Sequence, residues 1–399
     1  MNDRVWSPKI LVVYPHNFMS RNSGINSRYY ELMKYFTRRG FSVDLLGLSN
    51  FVDSWPESGK IGNHEIKVDN LFLYDFKRGR KEADTVVKNI RHGIGRFFRG
   101  QRSLAYSALP DFAFRGMRRL FDTLVSRTHY DFILISYAYW AGLIEGRDYP
   151  NTTSILEISD FLTLNLSDAE PGRVDVGTLL NEELRRVNLF ERVFCISGDE
   201  LSFFSRLAAR PTYYYVPHFM PQTEIVRDVR DVFTADVCIV ASDNPHNIKG
   251  IKWFYDQVMP LLPDTLRYTV VGRITGHVPF ILDNVTTIPY VEDLSEIYNK
   301  SRISICPLLG GTGMKIKVVE ALAHGLPVVC TRYGVIGFRH GHVTGCTVAD
   351  SAEDFAAAIR VLIADPEHYR EQCRSARNFF LQNFEEACVY RKLDDVFAR

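Results

Sequence analysis

Arg302-Ile-Ser-Ile-Cys306-Pro-Leu-Leu-Gly310-Gly311-Thr312-Gly313-Met-Lys315-Ile-Lys317-Val-Val-Glu320-Ala-Leu-Ala-His-Gly325 is a short apolar strand, a glycine-rich turn and a helix expected over 312–324. The next apolar run, Pro327 to Thr331, returns as a strand. Glycines at a strand-to-helix turn let the backbone approach a phosphate closely. The free N–H groups and the positive end of the helix dipole favour an anion there. On the expected helix Gly313, Lys317 and Glu320 fall at i, i+4 and i+7, so a cation and a carboxylate share one face beside the turn. A nucleotide sugar uses both, the cation for its diphosphate and the carboxylate for vicinal ribose hydroxyls. The spacing is neither that of a P-loop nor G-x-G-x-x-G. Taken locally, the same residues also fit a tightly packed helix with a solvated Lys and Glu.

The alternation extends in both directions. Downstream of a Pro- and charge-rich stretch, strands are expected at Asp236 to Ala241, Arg267 to Gly272 and Val285 to Ile288, with helices at Lys249 to Met259 and Asp293 to Lys300. At the other end, Ile10 to Tyr14 is a strand, Ile25, Tyr29, Leu32 and Phe36 recur at helical spacing behind Ser23, Gly40 closes that helix, and Phe41 to Gly47 is a strand again. This is a βαβ unit, which requires parallel pairing and a right-handed crossover. Further strands are expected at Asp131 to Ser136, Thr153 to Ile158, Arg192 to Ser197 and Thr212 to Val216. The chain therefore divides into an α/β domain over 1–217, a linker over 218–232, a second α/β domain over 233–375 and a C-terminal helix over 376–399 expected to cross back to the first domain. Chemistry is expected in the loops after the strands, because open parallel sheets bind ligands at their carboxyl ends.

A length of 399 residues exceeds the roughly 100–200 residues of a single core, which also points to two domains. With 46% hydrophobic and 24% charged residues the composition is globular, and no apolar run is long enough for a membrane span. Met1 to Lys9 lacks the apolar region of a signal peptide, so a cytoplasmic location is expected. Seven scattered cysteines without a C-x-x-C pair read as buried small hydrophobes, not as a zinc site or a disulfide framework. Net charge is only +1, but 77–119 concentrates twelve Lys or Arg against three acids. There Arg96, Phe97, Phe98, Arg99 and Arg102 interleave cations with aromatics. This suits contact with an anionic membrane surface at the inner face of the membrane, or with a lipid-diphosphate acceptor, and equally a solvated helical face. No recognition module for nucleic acid accompanies the charge.

Pro307 through Val329, continuing through Thr331-Arg-Tyr-Gly-Val-Ile-Gly337, is similar to the donor-site signature of the glycosyltransferase group 1 enzymes, the retaining, GT-B-fold family 4. Asn247-Ile-Lys-Gly-Ile-Lys-Trp-Phe254 with Val258-Met-Pro260, Val270-Val-Gly272 and Pro289-Tyr-Val-Glu-Asp-Leu294 fall in the family's order. Gly24, Ser159-Asp160 and Cys195-Ile-Ser197 with Glu200 resemble its first domain more loosely. The resemblance implies an α/β, GT-B fold with two Rossmann-like, doubly wound parallel-sheet domains facing a central cleft. It implies that Gly311 and Gly313 lie against the donor, that Lys317 binds its phosphates, that Glu320 holds the ribose, and that Lys249 and Thr312 assist. Arg273 and Gly24 join this donor-binding set.

The family's E-x7-E pattern requires an acid where this sequence has Thr312. Its usual histidine at the end of a strand of the first domain is also missing, leaving Asp160 and His16 as the catalytic candidates beside Lys249. The implied activity is metal-independent, retaining transfer of a sugar from a nucleoside-diphosphate sugar to a glycan, glycolipid or protein-glycan acceptor, without a cofactor. A sugar-nucleotide epimerase and a non-catalytic GT-B partner subunit are the alternatives. Nucleotide, sugar, acceptor and oligomeric state are not encoded in any transferable pattern.

Overall fold

A computed structural model describes residues 7–21, 23–51, 55, 61–77, 109–223, 233–280, 282–291, 293–338 and 344–398. The chain forms two compact units, one of Met1–Ile196 with Glu200–Tyr215 and one of Ser197–Asp199 with Val216–Arg399. Residues 224–232 of the expected linker lie outside the described residues, as does 78–108. Arg96, Phe97, Phe98, Arg99 and Arg102 fall in the latter stretch.

The first unit is a parallel sheet of β1 (Lys9–Val13), β2 (Ser42–Ser49), β3 (Asn70–Asp75), β4 (Phe132–Ser136), β5 (Thr153–Ile158), β6 (Arg192–Cys195) and β7 (Thr212–Tyr215). Their spatial order is β3-β2-β1-β4-β5-β6-β7. Strands of such a sheet are covered on both faces, which is why β1 is a continuous apolar run with Ile10, Leu11, Val12 and Val13 all buried. The helix Gly24–Arg38 opens on Ser23, whose hydroxyl accepts the Asn26 N–H, and ends before Gly40 at φ +72°. No strand was expected between Gly47 and Asp131. β3 escapes sequence reading because it is a half-buried edge strand with a polar residue at each end.

The second unit repeats the plan with β8 (Ala235–Val240), β9 (Tyr268–Val271), β10 (Val285–Ile288), β11 (Ser301–Cys306), β12 (Val328–Cys330) and β13 (Cys346–Val348). All pairs are parallel, in the order β10-β9-β8-β11-β12-β13. Its core gathers Val237, Ile239, Phe254, Val270, Ile303, Val329 and Phe355. Each sheet reverses direction of growth once, between β1 and β4 in the first and between β8 and β11 in the second. A crevice for a ligand opens at the carboxyl ends of the strands flanking such a reversal.

Three departures from the expected helices bear on the site and the chain's end. The helix placed at Lys249 to Met259 begins at Pro245, because Asn244 caps it and proline is preorganised for the first helical position. The helix after the glycine turn begins at Ile316, for reasons given below. The C-terminal helical stretch is two helices, Pro366–Asn383 and Glu386–Phe397, separated where Glu385 turns extended and its carboxylate caps the second. Both helices belong to the second unit. None of the seven cysteines is in a disulfide, and five are buried. Among the described residues no helix is long and apolar enough to cross a membrane.

Candidate functional site

In the second unit the reversal point lies between the segment after β8, Ala241–Asn244, and the segment after β11, Pro307–Lys315. Gly311 and Gly313 stand at φ +102° and +73°, a region that disfavours any side chain. A right-handed helix cannot contain Gly313 at that φ, so the helix expected from Thr312 starts beyond it, at Ile316. Gly313 is accordingly not on the helix face where its spacing put it, and only Lys317 and Glu320 remain there. The turn packs closely on its surroundings. A Cβ on Gly311 would come within 3.3 Å of the His246 ring, and one on Gly250 within 2.4 Å of the Pro307 carbonyl oxygen. Buried Lys315 sets the shape of the turn, its Nζ donating to the carbonyls of Thr312 (2.6 Å) and Gly313 (2.9 Å). Among the described residues neither Gly311 nor Gly313 gives its N–H to a partner.

Lys317 points from its helix to the capped start of Pro245–Trp253, where Nζ donates to Asn247 Oδ1 at 2.6 Å. Asn247 is held in that orientation because its Nδ2 donates to the Ser242 carbonyl and hydroxyl and its N–H donates to Asn244 Oδ1. Burial lowers the pKa of the Lys317 ammonium, against the opposing influence of Cys306 and Glu320. Glu320 accepts from the Tyr298 hydroxyl at 3.0 Å. Burial first, and the Glu320 charge next, raise the Tyr298 phenol well above its ordinary pKa, so it remains a donor. Arg273 pairs with Asp243 at 2.9 Å, and this hydrogen bond lowers the Asp243 pKa. Lys249 is exposed on Pro245–Trp253, and Thr312 is half-buried in the turn. The structure therefore gathers Gly311, Thr312, Gly313, Lys317 and Glu320 around one turn and helix start. Lys249 and Arg273 follow the neighbouring strands β8 and β9.

Sequence reading missed Lys315, Asn247 and Tyr298. A lysine inside a glycine turn was a usable signal for the first. The other two are joined to Lys317 and Glu320 across 70 and 22 residues, and no local pattern announces that.

The reversal point of the first unit is built differently. After β1, Tyr14 stacks on Tyr29 with ring centroids 3.7 Å apart and donates to Asn26 at 2.6 Å, while half-buried His16 leans on Tyr14 and Phe51. Gly24 is exposed as the first residue of its helix. Beneath lies a fully buried ion pair between Arg28 and Glu157. After β4 the chain turns at Tyr137, a non-glycine residue at φ +58°. Burial, then the charge of Asp160, raises the Tyr137 pKa well above its ordinary value, and Asp160 itself is half-buried after β5. Buried Glu183 accepts the N–H groups of Leu162 and Thr163 at 2.9 Å each, fixing the start of the helix behind Asp160. Arg186, one turn on, donates to the carbonyls of Leu109, Pro110 and Ala138.

Residues 234–365 match the family model of the Glycosyl transferases group 1. The second unit carries a group 1 glycosyltransferase domain. Its glycine turn, Lys317 and Glu320 all lie within the matched residues. The chain is also 25% identical over 220 residues to an uncharacterized 44.6 kDa protein in the cps region of Klebsiella pneumoniae, a match over 51% of this chain and 55% of that protein. It thus spans about half the length of the curated relative it matches. Among solved structures it is similar to sucrose-phosphate synthase from Thermosynechococcus elongatus, at 14% identity over 98% of each chain with a TM-score of 0.69. It is likewise similar to HepE of Anabaena in complex with UDP and glucose, at 13% identity over 98% of this chain and 99% of that one with a TM-score of 0.62. The glycosyltransferase domain and the unit before it together have the two-domain GT-B fold.

Proposed function

We propose that this protein is a retaining glycosyltransferase that moves a sugar from a nucleoside-diphosphate sugar to a glycan, glycolipid or protein-glycan acceptor. The observation that carries the reading is the placement of Lys317 and Glu320 beside the Gly311-Thr312-Gly313 turn at the reversal point of the glycosyltransferase domain. The backbone of the turn takes the diphosphate, with Lys317, Lys249 and Arg273 supplying positive charge, and Glu320 takes the ribose hydroxyls. Charge on the departing diphosphate grows as its bond to the sugar breaks, and fixed cations stabilise that state more than the ground state. Asp160 and His16 are assigned to the anomeric centre and Gly24 to the donor, and no metal or other cofactor is invoked. The UDP and glucose held by HepE support a nucleotide-sugar donor, and the cps-region relative supports a role in surface polysaccharide assembly.

The test is a thermal-shift screen against a panel of nucleoside-diphosphate sugars, followed by an assay for sugar transfer with and without EDTA. A ligand at 100 times its dissociation constant adds about 2.7 kcal/mol of stability, an easily read shift. Lys317→Ala should lose it. Absence of stabilisation by every donor would sink the reading, and transfer abolished by EDTA would remove its metal-independent part.

A further inference from the structure

Tyr298 is buried to 1% exposure on the short helix Ser295–Asn299, which precedes β11. Its ring stacks on His324 at 5.3 Å, and His324 Nδ1 is in turn 2.8 Å from Asn299 Oδ1. The ring is therefore held in place without help from its hydroxyl. That hydroxyl is 3.0 Å from Glu320 Oε2 and 3.5 Å from the Lys317 carbonyl. A glutamate side chain rotates about several bonds, so a carboxylate at a helix surface occupies many orientations unless a fixed partner selects one. An ionised carboxylate offers about four acceptor positions, and a single phenol occupies one of them.

We propose that Tyr298 is a positioning residue whose hydroxyl holds the Glu320 carboxylate in the orientation that accepts the vicinal hydroxyls of a nucleotide ribose. This rests on Glu320 being the ribose acceptor of the proposed donor site. Tyr298 touches no substrate itself. Its contribution is to remove the orientational freedom that Glu320 would otherwise lose on binding.

The experiment titrates the full chain with UDP, GDP, ADP and CDP and with their 2′,3′-dideoxy counterparts, and reads the ratio of the two dissociation constants for the base that binds. Wild type should prefer the ribose form, and Glu320→Ala should lose that preference. Tyr298→Phe keeps the ring and its stacking. It should reduce the preference by about five- to tenfold, the size of one charge-assisted hydrogen bond misdirected, with affinity for the dideoxy form unchanged. In the Glu320→Ala background, adding Tyr298→Phe should leave the ratio where it was, because the phenol acts only through the carboxylate. An unchanged ratio in Tyr298→Phe, or equal weakening of both forms, overturns the positioning role while leaving the Glu320 reading intact. No nucleotide bound at all, or a wild type that does not distinguish the two forms, overturns the Glu320 reading and the proposal with it.

Discussion

The two sheets reverse at equivalent places, and the two reversal points are filled in opposite ways. At β8 and β11 the turn is made of glycines at positive φ, tied by one buried lysine, and backbone is what it presents. At β1 and β4 the same position is occupied by aromatic rings over a buried ion pair, with Tyr137 rather than glycine at positive φ. A glycine turn admits a phosphate to the main chain, whereas a packed aromatic turn excludes it and offers side-chain chemistry instead. One fold plan thus yields one turn of exposed backbone and one of packed side chains, decided by the residues at two turns.

The comparison is open to attack from four sides. Arg28→Ala removes the counter-charge from buried Glu157, and should cost about 3–5 kcal/mol in urea denaturation. A loss under 1 kcal/mol would mean that the first reversal point does not depend on its ion pair. Lys317→Ala should barely change stability but weaken binding of the best donor by roughly 10- to 100-fold in calorimetry, one charge-assisted contact. If stability falls and affinity holds, the lysine is structural. Gly311→Ala forces a side chain to φ +102° against His246 and should cost about 1–3 kcal/mol, together with the donor-induced thermal shift. Tolerance with full donor binding would show that the backbone there is not the phosphate contact.

The smallest expected effect is on pH. Because burial lowers the Lys317 pKa, the ammonium loses its proton at a lower pH than an ordinary lysine. Below that pKa the folded protein holds a proton at a cost. Over the window between the lowered and ordinary values the unfolded chain binds more protons, so this group's contribution to stability rises with pH. Donor affinity should move the other way, falling several-fold as pH rises through the lowered pKa, and the fall should vanish in Lys317→Ala. A pH profile identical in both proteins would take Lys317 out of the diphosphate contact.

What the sequence alone determined was whatever depends on neighbours along the chain. The apolar runs of β1, β4, β5 and β11, the Ser23 cap, the glycine turn and the candidates Lys317 and Glu320 follow from periodicity and from the restricted backbone of non-glycine residues. β3 and β13 were not expected: both are edge strands, β3 half-buried with its apolar run Leu71 to Tyr74 bounded by Asn70 and Asp75, and β13 only partly covered. The tertiary structure alone decided the partners: Arg28 with Glu157 across 129 residues, Lys317 with Asn247 across 70, and Tyr298 with Glu320 across 22. It also decided that the helix waits until Ile316, although its amphipathic pattern reaches back to the turn. The physical reason is the same in each case. Periodicity records which face of an element is buried, but the particular donor, acceptor or counter-charge met on that face depends on crossovers that bring distant strands and helices together. A single φ value, that of Gly313, whose carbonyl Lys315 holds, is enough to displace the first turn of a helix.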